Sequence, residues 1–317
     1  MESIQSRQEY IARINKVIDY IKSHLDEDLS VEHLAEVSCF SKFHFHRIFR
    51  SVVGETVNQF VKRSRIERAA FYLRNNPGKS VSEVATDSGF INLASFARTF
   101  RETTGASATE WKQKLIFENS KNCKTDRTDG KVIHFYPVYL ASSSINQEAN
   151  MIHTPNKIQV EIKELPALNV AYVRSLSISP QDGLAFEQLF DKLFKWAGPR
   201  GFISFPQTKA LTVYRSNPEL STDGNMQADV CITVPEGTAG EGEIGIAQIS
   251  GGQYAVIHLE GDIRESGEVW TYVYKEWLSD NGYQPDNRNF YINHLNNPKE
   301  HPQQLHMVDM CIPVKPL

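Results

Sequence analysis

The sequence is poor in cysteine, and the four it has, Cys39, Cys123, Cys231 and Cys311, lie far apart and never in C-x-x-C spacing. That pattern argues against a zinc ribbon or a disulfide framework and fits reduced, structural thiols. Long apolar runs are missing too: nothing reaches the roughly 18 residues that a membrane span requires. The opening Met1-Glu2-Ser3-Ile4-Gln5-Ser6-Arg7 contains an acidic residue and no apolar stretch, unlike a secretion signal, so a cytoplasmic chain without membrane contact is expected. Nucleophile motifs are equally scarce. There is no Gly-x-Ser-x-Gly, no Cys-His pairing and no close carboxylate pair, so no catalytic residue is expected. His44 and His46 stand two apart and diverge on a helix, and His294, His301 and His306 read as a solvated loop, so no metal or cofactor is expected either. Gly240-Glu241-Gly242-Glu243-Ile244-Gly245 fits the dinucleotide fingerprint in letters only. Strand-like runs flank it, no helix follows, and two carboxylates would repel a pyrophosphate; a hairpin loop is expected.

A strong net charge is also absent, since 34 Lys+Arg against 38 Asp+Glu leave −4. The sum conceals an asymmetry. Residues 1 to 122 hold 18 cations and 15 anions, net +3, whereas residues 123 to 317 hold 16 and 23, net −7. With 40% hydrophobic and 23% charged residues, the composition is that of a folded globular protein, about twice the length of a typical domain. Two domains with different partners are expected.

Apolar residues recur at helical spacing from Tyr10 to Leu25, and helical stripes continue to about Phe117. They contain a repeat. Ser30-Val31-x-x-Leu34-Ala35-x-x-Ser38 returns 50 residues later as Ser80-Val81-x-x-Val84-Ala85-x-x-Ser88, and Phe45-x-Arg47-x-Phe49-Arg50-x-x-x-Gly54 returns after 51 as Phe96-x-Arg98-x-Phe100-Arg101-x-x-x-Gly105. One residue has been added in the second turn. Each copy reads as a helix-turn-helix, with Ser41 and Asn92 as N-caps and Gly54 and Gly105 as C-caps of the longer helix. The first long helix turns Phe45, Ile48, Phe49 and Val52 toward a core. Its other face carries Lys42, Phe43, His46, Arg47 and Arg50, a donor-rich surface suited to base edges in a DNA major groove. Val57 to Leu73 joins the units as one helix of roughly 25 Å, and with helix widths added the two readers would stand ~34 Å apart, one turn of B-DNA. Lys62, Arg63, Arg65 and Arg68 along this connector are expected as a solvated face, some of them toward phosphates.

At these residues the chain resembles the AraC/XylS transcription factors: Leu34-Ala35 to Ser41, the two Phe-x-Arg-x-Phe-Arg segments with their glycines, Arg65-Ile66-x-x-Ala69, and Gly89-Phe90 before Ser95. The resemblance covers about residues 10 to 117. It implies that Phe43, His46 and Arg47 contact bases in the first reader, flanked by Ser41, Lys42 and Arg50. In the second, Asn92, Leu93, Ser95 and Arg98 take that role beside Arg101, the counterpart of Arg50. Ala108 stands where the family usually has Pro. Leu93 and Ala94 offer few polar groups, so the first helix is expected to dominate specificity and the second to meet backbone or thymine methyls. Double-stranded promoter DNA and RNA polymerase are the implied partners, and activation the implied effect.

Residues 119–157, rich in Lys, Thr, Asp, Asn and Ser with one short apolar stretch, read as a linker. Beyond it, β-branched and alternating runs (Val160 to Ile162, Val170 to Val173, Leu211 to Tyr214, Val230 to Val234, Tyr254 to Leu259) surround helices at Leu184 to Trp196 and Trp270 to Leu278. A second repeat appears at offset 80: Asn217-Pro218 and Ala228-Asp229-Val230-Cys231-Ile232-Thr233-Val234 match Asn297-Pro298 and Val308-Asp309-Met310-Cys311-Ile312-Pro313-Val314. The expected architecture is therefore multidomain: an all-α double helix-turn-helix over 1–118, then an α+β domain over 158–317 made of two strand-helix-strand-strand copies about a pseudo-twofold axis. Clefts form along such axes. Leu184, Phe186, Leu189, Phe190, Leu193 and Phe194 have core spacing on their helix, so the aromatics expected to meet a ligand are Tyr172, Tyr214, Tyr254 and Tyr291, with Trp196 beside them.

This half resembles the GyrI-like effector-binding domains through Val160-x-x-x-Glu164-Leu165-Pro166, Val170-Ala171-Tyr172, Gly251-Gly252-x-Tyr254-Ala255-Val256 and Asp309-x-Cys311-Ile312-Pro313-Val314. The resemblance implies an aromatic cleft for a small molecule, often apolar or cationic. The Glu that commonly anchors a cation is missing from Asn289-Phe290-Tyr291-Ile292-Asn293-His294. The reading is a DNA-binding regulator whose promoter binding responds to a small effector; the alternatives are a small-molecule hydrolase or a protein-binding inhibitor module fused to a DNA reader.

Overall fold

The computed structural model describes residues 2–76, 78–113, 158–216, 225–261, 269–270 and 272–317. The chain divides into two compact units, Met1–Ile133 and His134–Leu317; the expected linker lies outside the described residues.

Helices of the first unit start where a side-chain oxygen can take up free amides. Ser30 accepts from the His33 amide at the head of α2 (Val31–Val37), which follows α1 (Glu2–Ser23), and Ser41 accepts from the His44 amide at the head of α3 (Lys42–Val53). Thr56 and Ser80 form reciprocal capping boxes with Gln59 and Glu83 on α4 (Val57–Asn75) and α5 (Val81–Asp87). Asn92 accepts from the Ala94 and Ser95 amides at the head of α6 (Leu93–Thr104). Gly54 and Gly105 close α3 and α6 in left-handed conformation, donating to Arg50 O and Arg101 O. The two helix-turn-helices thus sit at the expected residues. The first helix begins well before Tyr10 and the connector runs two residues past Leu73.

Phe45, Phe49 and Phe60 are fully buried with ring centroids 5.7 Å apart in succession, and Phe96, Phe100 and Trp111 repeat the arrangement around α6. Each such side chain contributes about 1.5–3 kcal/mol on burial. The connector cations correct the expectation of a solvated or phosphate-facing run. Arg63 joins Glu55 at 2.6 Å and Glu67 at 2.5 Å, and Lys22 of α1 meets Glu67 at 3.0 Å. Arg65 donates to Leu25 O and Glu27 O, both at 2.8 Å, and Arg68 reaches Asp26 at 3.1 Å. Lys22 thus ties α1 to α4 through Glu67, which Arg63 also holds, and Arg65 and Arg68 fasten α4 to the chain leaving α1; Lys62 alone of the four stays fully on the surface.

The second unit is one antiparallel sheet in the order β1-β6-β9-β8-β3-β4-β2-β5, with β7 beside β9. The strands are β1 (Val160–Leu165), β2 (Leu168–Ile178), β3 (Ala210–Tyr214), β4 (Met226–Thr233), β5 (Gly245–Ile249), β6 (Gly252–Gly261), β7 (Tyr283–Pro285), β8 (Tyr291–His294) and β9 (His306–Pro316). Helix α7 (Gly183–Ala197) follows β2. A second helical stretch precedes β7, running through a π turn at Val273–Trp277 into α8 (Leu278–Asp280). The copies are β2-α7-β3-β4 and β6-helix-β8-β9, and β5 and β1 pair with β2 and β6 at opposite edges. Thr212 pairs with Ile292, its own counterpart 80 positions on, so the pseudo-twofold axis passes between β3 and β8. Both helical stretches cover the same face of the sheet, where Trp270, Met310, Val230 and Leu193 are buried. On the other face Tyr172, Leu211, Cys231, Tyr254, Tyr291 and Cys311 form a cluster drawn from strands alone. Leu184 corrects the expected core set: at the first turn of α7 it is exposed.

Candidate functional site

Phenylalanine burial fixes the roll of α3 and α6, and with it what each offers to solvent. On α3, Lys42, His46, Arg47 and Arg50 are exposed beside the cap Ser41; the Phe43 side chain lies outside the described residues. Lys42 is held by an ion pair to Glu32 on α2. On α6, Leu93, Ser95, Arg98 and Arg101 are exposed beside Asn92. The described candidates of each reader therefore share one open helical face, with Arg47 and Arg98 at matching places.

The helix-free face of the sheet holds a cavity of about 160 Å³ whose lining includes Tyr172, Val213, Arg215, Asp229, Tyr254 and Arg288. Strand pleating selects Tyr172, Val213, Asp229 and Tyr254, because alternate positions of β2, β3, β4 and β6 face the same side, and Arg215 and Arg288 join them from the chain beside β3 and β8. Tyr172 can lie flat over β5 because residue 245 is glycine; a Cβ there would come within 2.3 Å of the ring. Arg174 stacks over Tyr172 at 4.7 Å and Arg288 over Tyr254 at 4.5 Å, so each tyrosine gives one face to a cation of the chain itself. Asp229, entirely buried, receives Arg174 in a bidentate pair at 2.7 and 2.8 Å and Arg215 at 2.7 Å. Burial works against ionisation of Asp229, but the two guanidiniums overcome it and hold the carboxyl below its ordinary value. Arg288 is fixed by Asp286, Gly251 O and Gln253 O.

Of the five expected ligand residues, Tyr172 and Tyr254 line this cavity and Tyr291 packs edge-on against Tyr254 at 5.5 Å. Tyr214 points to the helix-covered face, where it stacks on Phe290 at 4.8 Å. Trp196 lies at the end of α7 with Phe202 and Arg200, donating to Glu241; neither residue reaches the groove. The charged lining of Arg215, Asp229 and Arg288, with Arg174 buried against Asp229, was not anticipated. Its signal was the alternation itself, since Arg174 follows Tyr172 by two and Asp229 precedes Cys231 by two. Burial pushes the Cys311 thiol up to about 12 and the Cys231 thiol well above its ordinary value, so neither supplies a thiolate at neutral pH. Residues 241–244 form a tight turn leading into β5, as expected for the glycine-rich segment. Among the described residues no cluster of three or more His, Cys, Asp or Glu could hold a metal ion, and no helix is long and apolar enough to cross a membrane.

Behind the groove, His294 Nε2 lies 2.9 Å from Thr212 Oγ1, its ring edge-on to Phe190. Burial, with His306 nearby, lowers His294 from 6.5 to about 4. The unfolded chain then takes up a proton that the folded chain refuses. Stability should fall as pH drops from 6.5 toward 4, by up to about 3 kcal/mol, and urea midpoints of the C-terminal unit should track that window. His294→Gln should flatten the dependence.

The molecule thus joins a helical module built to present two exposed helices to a strand-built module built around a groove. Residues 34–114 match the family described as a helix-turn-helix domain and residues 158–315 the family described as a GyrI-like small molecule binding domain. The chain carries an AraC-type helix-turn-helix domain followed by a GyrI-like domain. It is similar to an uncharacterized HTH-type transcriptional regulator of Staphylococcus aureus (strain COL), 32% identical over 123 residues, 38% of this chain and 16% of that protein. It is likewise similar to the uncharacterized HTH-type transcriptional regulator YbfP of Bacillus subtilis (strain 168), 38% identical over 93 residues, 29% of this chain and 31% of that protein. The matches therefore span less than a third of either relative. A solved structure of the DNA-binding domain of AdpA in complex with a target DNA is 28% identical, with 34% of this chain and 96% of that chain covered at a TM-score of 0.33.

Proposed function

We propose that the chain is a transcriptional regulator of the cytoplasm that reads double-stranded promoter DNA with α3 and α6, and whose DNA binding is modulated by a small molecule held in the groove. The observation that carries this reading is the pair of caps, cores and arginines repeated at offset 51, which leaves His46 and Arg47 on one helix and Ser95 and Arg98 on the other open to solvent. An exposed arginine near the start of a recognition helix can bond guanine O6 and N7 together. The family described as small molecule binding supports the effector role of the second unit. The resemblance to AraC/XylS factors supports RNA polymerase as protein partner and activation as the outcome. Within the groove, Asp229 is locked by two arginines and burial holds the Cys231 thiol well above its ordinary value, which favours binding over turnover.

The test is a binding titration of the full chain on its own promoter against random duplex. Arg47→Ala should weaken promoter binding about 10- to 100-fold, the value of one bidentate base contact, while random-sequence affinity changes little. Equal loss on both duplexes would assign Arg47 to phosphates, and equal wild-type affinity for both would end the reading. A small module of net charge +3 should also bind more weakly as salt rises.

A further inference from the structure

The second turn contains one residue more than the first, and that residue is Ile91. Phe40 is followed directly by the cap Ser41, whereas Phe90 is followed by Ile91 and then the cap Asn92. An added residue in a tight turn would ordinarily be polar or a glycine. This one is a β-branched hydrocarbon at 104% relative exposure, and two positions on Leu93 is 50% exposed. Ala94 and Ala97 are open beside them. The matching positions of the first reader are Lys42 for Leu93 and His46 for Ala97, so α6 replaces hydrogen-bonding side chains with hydrocarbon at the end of the helix that enters a groove first. Single exposed apolar residues are common on protein surfaces; four on one helix end, one of them inserted, form a contact surface.

We infer that Ile91, with Leu93, reads thymine 5-methyl groups in the major groove, so that the two halves of the binding site differ in chemistry: polar base edges under α3 and thymine methyls under α6. Hydrocarbon cannot accept or donate to a base edge, and in the major groove the thymine methyl is the apolar mark that distinguishes one base pair from another. The inference rests on the reading of the chain as a DNA-binding regulator. Arg98, exposed on the same helix, supplies the charged contact that would hold this end against the duplex.

Full-length protein is used to select its site from random duplexes, and each thymine of that site is then replaced by deoxyuridine, which lacks only the methyl. Wild type should lose about three- to tenfold at one or two positions confined to one half-site, the scale of a buried methyl group. Ile91→Ala should bind thymine and uracil duplexes within about twofold of each other, while its circular dichroism and its dependence on Arg47 stay unchanged. A selected site with no uracil sensitivity would overturn the inference, as would undiminished discrimination by both Ile91→Ala and Leu93→Ala. So would a change of sedimentation in Ile91→Ala without change in discrimination, which would mark the surface as a contact between protein copies. Failure to select any site would instead sink the DNA-binding reading.

Discussion

Asp229→Ala should destabilise the C-terminal unit by about 3–5 kcal/mol, the range for removing one partner of a buried ion pair. The carboxylate is 0% exposed and the Arg174 side chain facing it 1%, so alanine removes the bidentate anionic partner of a guanidinium that water cannot reach without opening the sheet. Arg215, itself mostly buried, loses the same partner. Because the pair joins β2 to β4 across residues that are register partners, the damage should spread along both strands and into the groove. Denaturant unfolding of the full chain with hydrogen exchange read by peptide will show it, as lost protection in β2, β3 and β4 with α1 to α6 unaffected. The control is the triple change Arg174→Met, Arg215→Met and Asp229→Leu, which removes all three charges of the cluster and should recover most of the loss, since apolar replacement of a buried ion cluster is often neutral or better. If the single and triple variants were equally unstable, packing rather than charge would be the cause. The difference should be level from pH 8 to 5. A carboxyl held below its ordinary value contributes above that value and loses its contribution only as pH falls through the lowered one.

Asp229 also shows where sequence reading stops. The helical repeat, its caps and the exposed faces of α3 and α6 were legible because a helix is decided by residues three or four apart, and Ser41, Phe45, Phe49 and Gly54 follow one another at intervals of four or five residues. The sheet depends on partners far along the chain. Arg174 and Asp229 are 55 positions apart, and no local pattern pairs them. Strand β5 (Gly245–Ile249) escaped notice because its edge position leaves it short and glycine-led, with pairing to β2 alone. Even so, some of the groove was recoverable. Tyr214 follows Val213, which lines the cavity, so strand parity alone sends Tyr214 to the opposite face; choosing aromatics by strand membership without parity admitted it. Trp196 failed differently, since it sits in the last turn of a helix whose core face had already been assigned. The inserted Ile91 was visible as a change of offset from 50 to 51, and exposure then turned it from a turn irregularity into a contact surface.

Gly89→Ala should cost the N-terminal unit about 3 kcal/mol or more, through two separate effects whose sizes the repeat itself distinguishes. Gly89 sits at φ +86, and a Cβ there would lie 1.9 Å from Leu25 O and 2.8 Å from Arg65 Nε. Those two atoms are themselves bonded, Arg65 donating to Leu25 O at 2.8 Å, so the methyl would displace the contact that holds α4 to the end of α1. In the first repeat the equivalent residue is Cys39, also left-handed at φ +54, and exposed. A left-handed turn is therefore tolerated there without glycine, at a strain of about 1–2 kcal/mol. Cys39→Gly should gain up to about 1 kcal/mol, because relief of that strain is partly offset by a more flexible unfolded chain. The pair of variants separates backbone conformation from collision. If Gly89→Ala cost no more than Cys39→Gly gained, conformation alone would explain the glycine. A much larger loss, accompanied by faster exchange at the start of α6 and at the end of α1, would show that Gly89 is kept for the Leu25 carbonyl. Hydrogen exchange on the full chain reads both. The consequence for DNA binding follows the same geometry: loosening this turn frees Ile91, Asn92 and Leu93, so Gly89→Ala should weaken contacts in the α6 half-site more than those made through α3.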